Sequence, residues 1–275
     1  MNTPHPQHIA FIGGGNMASA ILGGLIRQGL SARQITVVEP FAETADQLRQ
    51  NFGVAVLPEA SAALGAAQLV VWAVKPQVFA QAAAPVAAHT AQALHLSVAA
   101  GIRTDSIRSW LHTERVVRSM PNTPALVGQG MTALFACPAV TAAEKTLVEQ
   151  VIATTGQFLW VAQESQLDAV TALSGSGPAY VFFFLEAMTE AGVGLGLSRE
   201  QAYRLAVATF SGASSLAAAS SEPPEVLRQR VTSKGGTTYA AITHMESAGI
   251  KAAFVAAMQA AERRARELGD EFGKA

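Results

Sequence analysis

Charge is scarce in this chain. Lys, Arg, Asp and Glu make up 14% of its 275 residues against 50% hydrophobic, and the formal net charge is −1. So neutral a chain has no electrostatic reason to hold nucleic acid or an anionic membrane as a partner. The one basic run, Arg263-Arg264-Ala265-Arg266, has Glu262 and Glu267 beside it and reads as a solvated helix face. The shortage also leaves few solvated side chains to cover a monomer, which predicts a buried subunit interface.

Cysteine is nearly absent. The single Cys137 excludes an intramolecular disulfide framework, suits a reducing compartment, and reads as a small core residue. No group of His, Cys, Asp and Glu has metal-ligand spacing, so no metal is expected. Neither a nucleophile elbow nor a catalytic carboxylate pair stands out, which leaves the difficult chemistry to a cofactor. Every apolar run is broken by glycine or polar residues before it could span a bilayer. The segment Met1-Asn2-Thr3-Pro4-His5-Pro6-Gln7 lacks the basic and apolar regions of a signal peptide. A cytoplasmic protein is expected.

What is present is organised around Ile9-Ala10-Phe11-Ile12-Gly13-Gly14-Gly15-Asn16-Met17-Ala18. An apolar β run enters a glycine turn and continues into a helix. Gly13-x-Gly15-x-x-Ala18 fits the dinucleotide fingerprint: a glycine for the sharp turn, one for approach of the pyrophosphate, and a small residue for close helix–strand packing. The phosphate would rest on free N–H groups at the helix N-terminus, from Gly14 through Asn16 and Met17.

Further β runs lie at Gln34 to Glu39, Gln68 to Val74, Leu94 to Val98 and Arg115 to Ser119, with helices from Phe41 to Asn51 and Thr104 to Leu111 between them. Alternation on this scale predicts an α/β doubly wound parallel sheet, a Rossmann fold. Gly130 to Ala136 and Gln157 to Val161 read as two more strands around a helix from Thr141 to Thr154. Ligands of such sheets bind beyond the carboxyl ends of the strands. There the chain places Ala73-Val74-Lys75-Pro76, Val98-Ala99-Ala100-Gly101, and the stiff loop Ser119-Met120-Pro121-Asn122-Thr123-Pro124, whose Asn122 amide could pair with a carboxamide. Glu39 ends the second strand, where a carboxylate accepts from the ribose of NAD and repels the 2′-phosphate of NADP, so the residues alone lean toward NADH.

From Gln163 onward the pattern is helical, giving domains 1–162 and 163–275. Ser198 and Gln201 form a capping box. Tyr180-Val181-Phe182-Phe183-Phe184-Leu185 is apolar around the whole helix, which demands burial on all sides and predicts that two copies interlock there. In Val231 to Ile242, glycines precede a helix start with hydroxyls on both sides. Ser233, Gly235, Gly236, Thr237 and Thr238 can be read as a helix cap or as a carboxylate cradle with a hydroxyl beside the reacting atom.

Five motifs in order give the chain a resemblance to the pyrroline-5-carboxylate reductase family: Phe11 to Met17, Ala73 to Pro76, Met120-Pro121-Asn122-Thr123-Pro124-Ala125-Leu126, Gly175-Ser176-Gly177-Pro178-Ala179-Tyr180 and Val231 to Thr238. The resemblance implies reduction of the cyclic imine 1-pyrroline-5-carboxylate to L-proline by a Rossmann domain and an all-helical dimerisation domain. It implies a homodimer whose sites are completed across subunits, with larger assemblies of dimers left open. It places the substrate carboxylate on Ser233 to Thr238 and the Thr238 hydroxyl at the imine nitrogen. It also implies NADP(H) as the main cofactor, with NAD(H) as the alternative that Glu39 favours. Lys234 departs from the family's usual proline. The β-hydroxyacid dehydrogenases share the plan but need a lysine and an asparagine where this chain has Val181 and Leu185. A non-catalytic dinucleotide sensor is the other alternative, and it gives the cradle no purpose.

Overall fold

The computed structural model describes residues 8–273; the Met1 to Gln7 segment read above for a leader lies outside them. The chain opens with β1 (Ile9–Ile12), α1 (Asn16–Arg27), β2 (Ile35–Val38), α2 (Ala42–Phe52), β3 (Ala55–Leu57), β4 (Leu69–Trp72) and α3 (Pro76–Ala87). It continues through β5 (Leu94–Ser97), α4 (Thr104–Leu111), β6 (Val116–Met120), β7 (Gly130–Ala136), α5 (Ala142–Ile152) and β8 (Gly156–Trp160). Among the described residues these strands form one eight-stranded sheet in the order β3-β2-β1-β4-β5-β6-β7-β8.

The expected doubly wound sheet is therefore present. β1, β2, β4 and β5 are buried along their whole length, as strands covered on both faces must be. One pair departs from the parallel pattern: β7 runs antiparallel to β6. Only the short turn Thr123–Val127 and its flanks join them, and a parallel return requires a crossover of a dozen residues or more. β8 pairs parallel with β7 because α5 provides that crossover. The short β3 carried no run long enough to stand out in the sequence.

The helices start and stop for local reasons. α2 ends at Gly53, whose φ of +67° is open to glycine and whose N–H closes on the Arg49 carbonyl. A Thr141–Glu144 capping box opens α5. In α1, a side chain at Gly24 would come within 2.5 Å of the Thr154 hydroxyl, so glycine lets this helix lie against the turn after α5.

Compactness divides the chain into two units, the first reaching Ser176 and taking back the residues from Ala261 onward, the second Gly177–Ala260. The first includes α6 (Gln166–Val170) and the π-helical turn Thr171–Gly175. Leu167, Asp168 and Ala172 are buried, so the break in contacts falls after the boundary expected at residue 163.

The second unit holds α7 (Gly177–Gly194), α8 (Arg199–Ala218), α9 (Pro224–Arg230), α10 (Thr237–Ser247) and the start of α11 (Ile250–Phe272). The Ser198–Gln201 capping box forms as read, with Ser198 Oγ accepting from the Gln201 N–H and the Gln201 amide oxygen accepting from the Ser198 N–H. Gly192 lets α8 approach α7, since a Cβ there would lie 2.7 Å from that of Ala202. Yet Thr189 is the only buried residue of α7, and Phe182 and Phe183 are 58% and 66% exposed. The single chain does not bury this helix.

The core beneath β4 and β5 contains a titratable group. Trp72 stacks on Phe79 at 4.6 Å between ring centroids and donates its indole N–H to His95 Nδ1 at 3.0 Å. Burial pushes the His95 pKa down to about 4, so the folded protein holds it neutral. An unfolded histidine protonates near pH 6.5. Its contribution to stability is thus complete above that pH and is lost as pH falls toward 4, about 3 kcal/mol over the interval. Replacing His95 by Gln, which keeps an acceptor for Trp72, should flatten the fall in melting temperature between pH 6.5 and 4. An unchanged slope by circular dichroism would assign the acid sensitivity elsewhere.

Candidate active site

At the end of β1 the chain turns at Gly13 with φ +91°, where a Cβ would lie 2.8 Å from the Ala73 carbonyl oxygen. Space and dihedral both require glycine. The turn is pinned from two sides, by Gly13 N–H to the Val38 carbonyl at 2.9 Å and Ala73 N–H to the Ile12 carbonyl at 2.8 Å. Gly14 is buried, and a Cβ there would lie 2.4 Å from a Leu48 methyl carbon. Gly15 is exposed, with no atom within 4 Å of the position a Cβ would take, and it caps α1. Asn16 and Met17 begin the helix there. The first closed bond of α1 runs from the Ser19 N–H to the Gly15 carbonyl, so the N–H groups of Asn16, Met17 and Ala18 precede the helical ladder. An open glycine before a helix N-terminus suits a pyrophosphate.

The structure gathers the other dinucleotide candidates on the same edge. Ala73 and Val74 are half-buried against the Gly13 turn, while Lys75 is exposed and caps α3, with Pro76 in its first turn. At Gly101 the φ of +76° and the missing side chain admit Leu268 and Phe272 of α11, each 3.3 Å from where a Cβ would stand. Ala100 stays exposed.

Glu39 sits at the predicted strand end but is only 6% exposed. Its Oε2 accepts from the Gly14 N–H at 2.8 Å and its Oε1 from the Phe41 N–H at 3.0 Å. It braces the glycine turn with the oxygens that the NADH reading would aim at a ribose. Asn122 is engaged as well: its Oδ1 accepts from the Met131 N–H at 2.9 Å, and its Nδ2 donates to Ser174 Oγ at 3.1 Å.

The second candidate group lies in the other compact unit. Gly235 turns with φ +77° and open space where a Cβ would stand, and Gly236 caps α10 in extended conformation. A Cβ on Gly236 would lie 2.8 Å from Ser233 Oγ, so that hydroxyl lies over the turn. Ala240 N–H to the Gly236 carbonyl is the first closed bond of α10. The N–H groups of Thr237, Thr238 and Tyr239 thus precede the ladder. Ser233, Gly235 and Thr237 are exposed, and Thr238 is half-buried. This geometry fits an anion on backbone donors with hydroxyls beside it.

Elsewhere on this unit, Phe182, Leu185, Thr189 and Tyr203 line a cleft of about 740 Å³ with Glu186, Arg199 and Glu200. Its walls lack the converging backbone donors found at the start of α10. Among the described residues no helix is long and apolar enough to cross a membrane, and no group of His, Cys, Asp and Glu is placed to hold a metal ion.

Residues 164–268 match a family model described as pyrroline-5-carboxylate reductase dimerisation, and residues 8–101 one described as NADP oxidoreductase coenzyme F420-dependent. A pyrroline-5-carboxylate reductase of Pseudomonas aeruginosa is 45% identical, with all of both chains covered. The chain belongs to the pyrroline-5-carboxylate reductase family. The solved reductase of Coxiella burnetii superposes with a TM-score of 0.89 at 38% identity, over 95% of this chain and 98% of that one. A Plasmodium falciparum relative solved with NADP bound gives 0.85 at 26% identity over the same shares.

The family comparison starts its helical segment at residue 164, ahead of the break in compactness at Ser176. Sequence reasoning missed Ser174, which the π-helical turn brings to Asn122, because a lone serine inside an apolar helix carries no spacing signal. It also missed buried Arg118, whose guanidinium donates to Glu164 at 2.9 Å while Glu164 accepts from the Thr104 N–H and hydroxyl.

Removing the Glu39 carboxylate leaves the buried Gly14 N–H without its acceptor. Glu39→Ala should destabilise the protein by about 1–3 kcal/mol in urea unfolding, and Glu39→Gln, which retains an oxygen, by less. Equal stability of both variants with wild type would remove Glu39 as the brace.

Proposed function

We propose that this chain reduces 1-pyrroline-5-carboxylate to L-proline with a nicotinamide dinucleotide, NADPH first and NADH as the alternative, working as a cytoplasmic homodimer. The observation that carries the reading is the pairing of two anion-binding helix starts in one chain: α1 behind Gly13-Gly14-Gly15 for a pyrophosphate, and α10 behind Gly235-Gly236 for a carboxylate.

The residues fit both ligands. Gly13 keeps the turn tight enough for a phosphate to approach backbone, and Gly15, Asn16 and Met17 present the start of α1 to it. Ala73, Val74, Lys75 and Pro76 form the adjoining wall, with the Lys75 ammonium free to meet ribose or phosphate oxygen. Asn122 serves the nicotinamide end through the carboxamide N–H that Ser174 does not take. In the second unit, Ser233, Gly235, Gly236 and Thr237 hold the substrate carboxylate. The Thr238 hydroxyl stands at the imine nitrogen.

A bound nicotinamide dinucleotide supplies the hydride. A protonated imine is already electrophilic at carbon; hydride adds there, the π pair passes to nitrogen, and the amine of proline results. The protein therefore needs to position the carbon and satisfy the nitrogen more than to provide a strong acid. A threonine hydroxyl meets that need.

Preference for NADPH draws on the Plasmodium relative solved with NADP. It draws also on Glu39, whose oxygens are already committed to Gly14 and Phe41. The homodimer draws on the dimerisation model and on the exposed Val181, Phe182 and Phe183 of α7. A second copy would cover this face and resolve the excess of hydrophobic over charged residues.

Two measurements test the reading. NADPH and NADH oxidation should each depend on added pyrroline-5-carboxylate, with the larger kcat/KM for NADPH; oxidation that ignores the imine would remove the reductase assignment. Thr238→Ala should lower kcat by about 10- to 100-fold while the dinucleotide Kd stays within twofold. Unchanged turnover would take Thr238 out of the mechanism.

A further inference from the structure

The Asn122 carboxamide is oriented without ambiguity. A backbone N–H can only donate, so the atom facing the Met131 N–H at 2.9 Å is the amide oxygen. The amide nitrogen then faces Ser174, whose Oγ must accept at 3.1 Å. Each bond fixes the polarity of the next, and one amide N–H remains as a directed donor.

Ser174 reaches this position through an irregular backbone. Thr171–Gly175 is a π-helical turn closed by the Ser176 N–H on the Thr171 carbonyl at 2.8 Å. Single π turns within helices recur at functional sites. Its neighbour Gly175 lies so close to β6 that a Cβ there would come within 2.3 Å of the Met120 methyl group. The turn is thereby seated on Met120 and Asn122, at the carboxyl end of β6. β6 runs parallel to β5, which runs parallel to β4, and β4 to β1. Asn122 therefore stands on the sheet edge that carries the Gly13 turn.

We propose that Ser174 is a positioning residue for the nicotinamide end of the dinucleotide, acting through Asn122. Its hydroxyl holds the Asn122 amide against rotation, so that the remaining N–H points at an acceptor oxygen such as that of the nicotinamide carboxamide. The proposal rests on the reading that Asn122 serves the nicotinamide, and it adds a residue on α6's continuation to a site otherwise built from strand ends. The widened turn accounts for the otherwise unexplained π geometry: a regular helical turn would shift Ser174 around the axis and away from Asn122.

The test compares two probes on folded, full-length protein by isothermal titration calorimetry: NADPH, and 2′-phospho-ADP-ribose, which lacks nicotinamide. Ser174→Ala should raise the Kd for NADPH about five- to tenfold and leave that for 2′-phospho-ADP-ribose unchanged, with Ser174→Thr close to wild type. Asn122→Ala should show the same selectivity, and adding Ser174→Ala to it should cost nothing further. Equal weakening of both probes, no change in either, or losses that add in the double variant would overturn the positioning role. A wild type that binds neither probe would overturn the dinucleotide reading and the proposal with it, so the two failures are told apart.

Discussion

The contact between the Gly13 turn and the Ala73 carbonyl is the constraint on which the first unit depends. At that point β1 leaves the sheet between β2 and β4, and any side chain would meet backbone that cannot move. Because the turn is this tight, α1 starts directly above the strand and its unpaired N–H groups face the sheet edge. The same closeness excludes water from Gly14, whose N–H must then find a protein acceptor, and Glu39 provides it. The fold and the candidate phosphate site are therefore one feature. The Glu39 carboxylate is thereby part of the scaffold of the turn.

The two compact units divide the physical tasks. The first buries a continuous apolar core under four fully covered strands and needs no partner to do so. The second consists of helices whose interior is thin: Thr189, Ala202 and Ala206 are buried on α7 and α8, while aromatic side chains remain on the surface. A helix apolar around its circumference is stable only when covered. This is the physical sense of the dimerisation model that residues 164–268 match.

Much of the fold was legible because strand burial and glycine chemistry are local. Ile9 to Ile12, Thr104 to Leu111 and Gly130 to Ala136 stand in the structure at the residues expected, and the Ser198–Gln201 cap forms as its spacing implies. The antiparallel β7 was not legible, since direction depends on how far the chain must travel between strands. Gly101 lies at the expected strand end, but it packs against Leu268 and Phe272 of α11, more than 160 residues away, which no local pattern reveals. The roles of Glu39 and Asn122 were half legible. Residue type and strand position placed both on the right edge, while their hydrogen-bond partners, Gly14 and Ser174, come from elsewhere in the chain.

The reductase activity of this family moves a hydride from a nicotinamide dinucleotide to the carbon of a cyclic imine. The most direct measurement supplies NADPH doubly deuterated at C4 together with 1-pyrroline-5-carboxylate and follows the product by mass spectrometry and proton NMR. The product should be L-proline carrying one deuterium at the former imine carbon, in proportion to the NADPH consumed. Unlabelled proline, or NADPH consumed without proline, would contradict it.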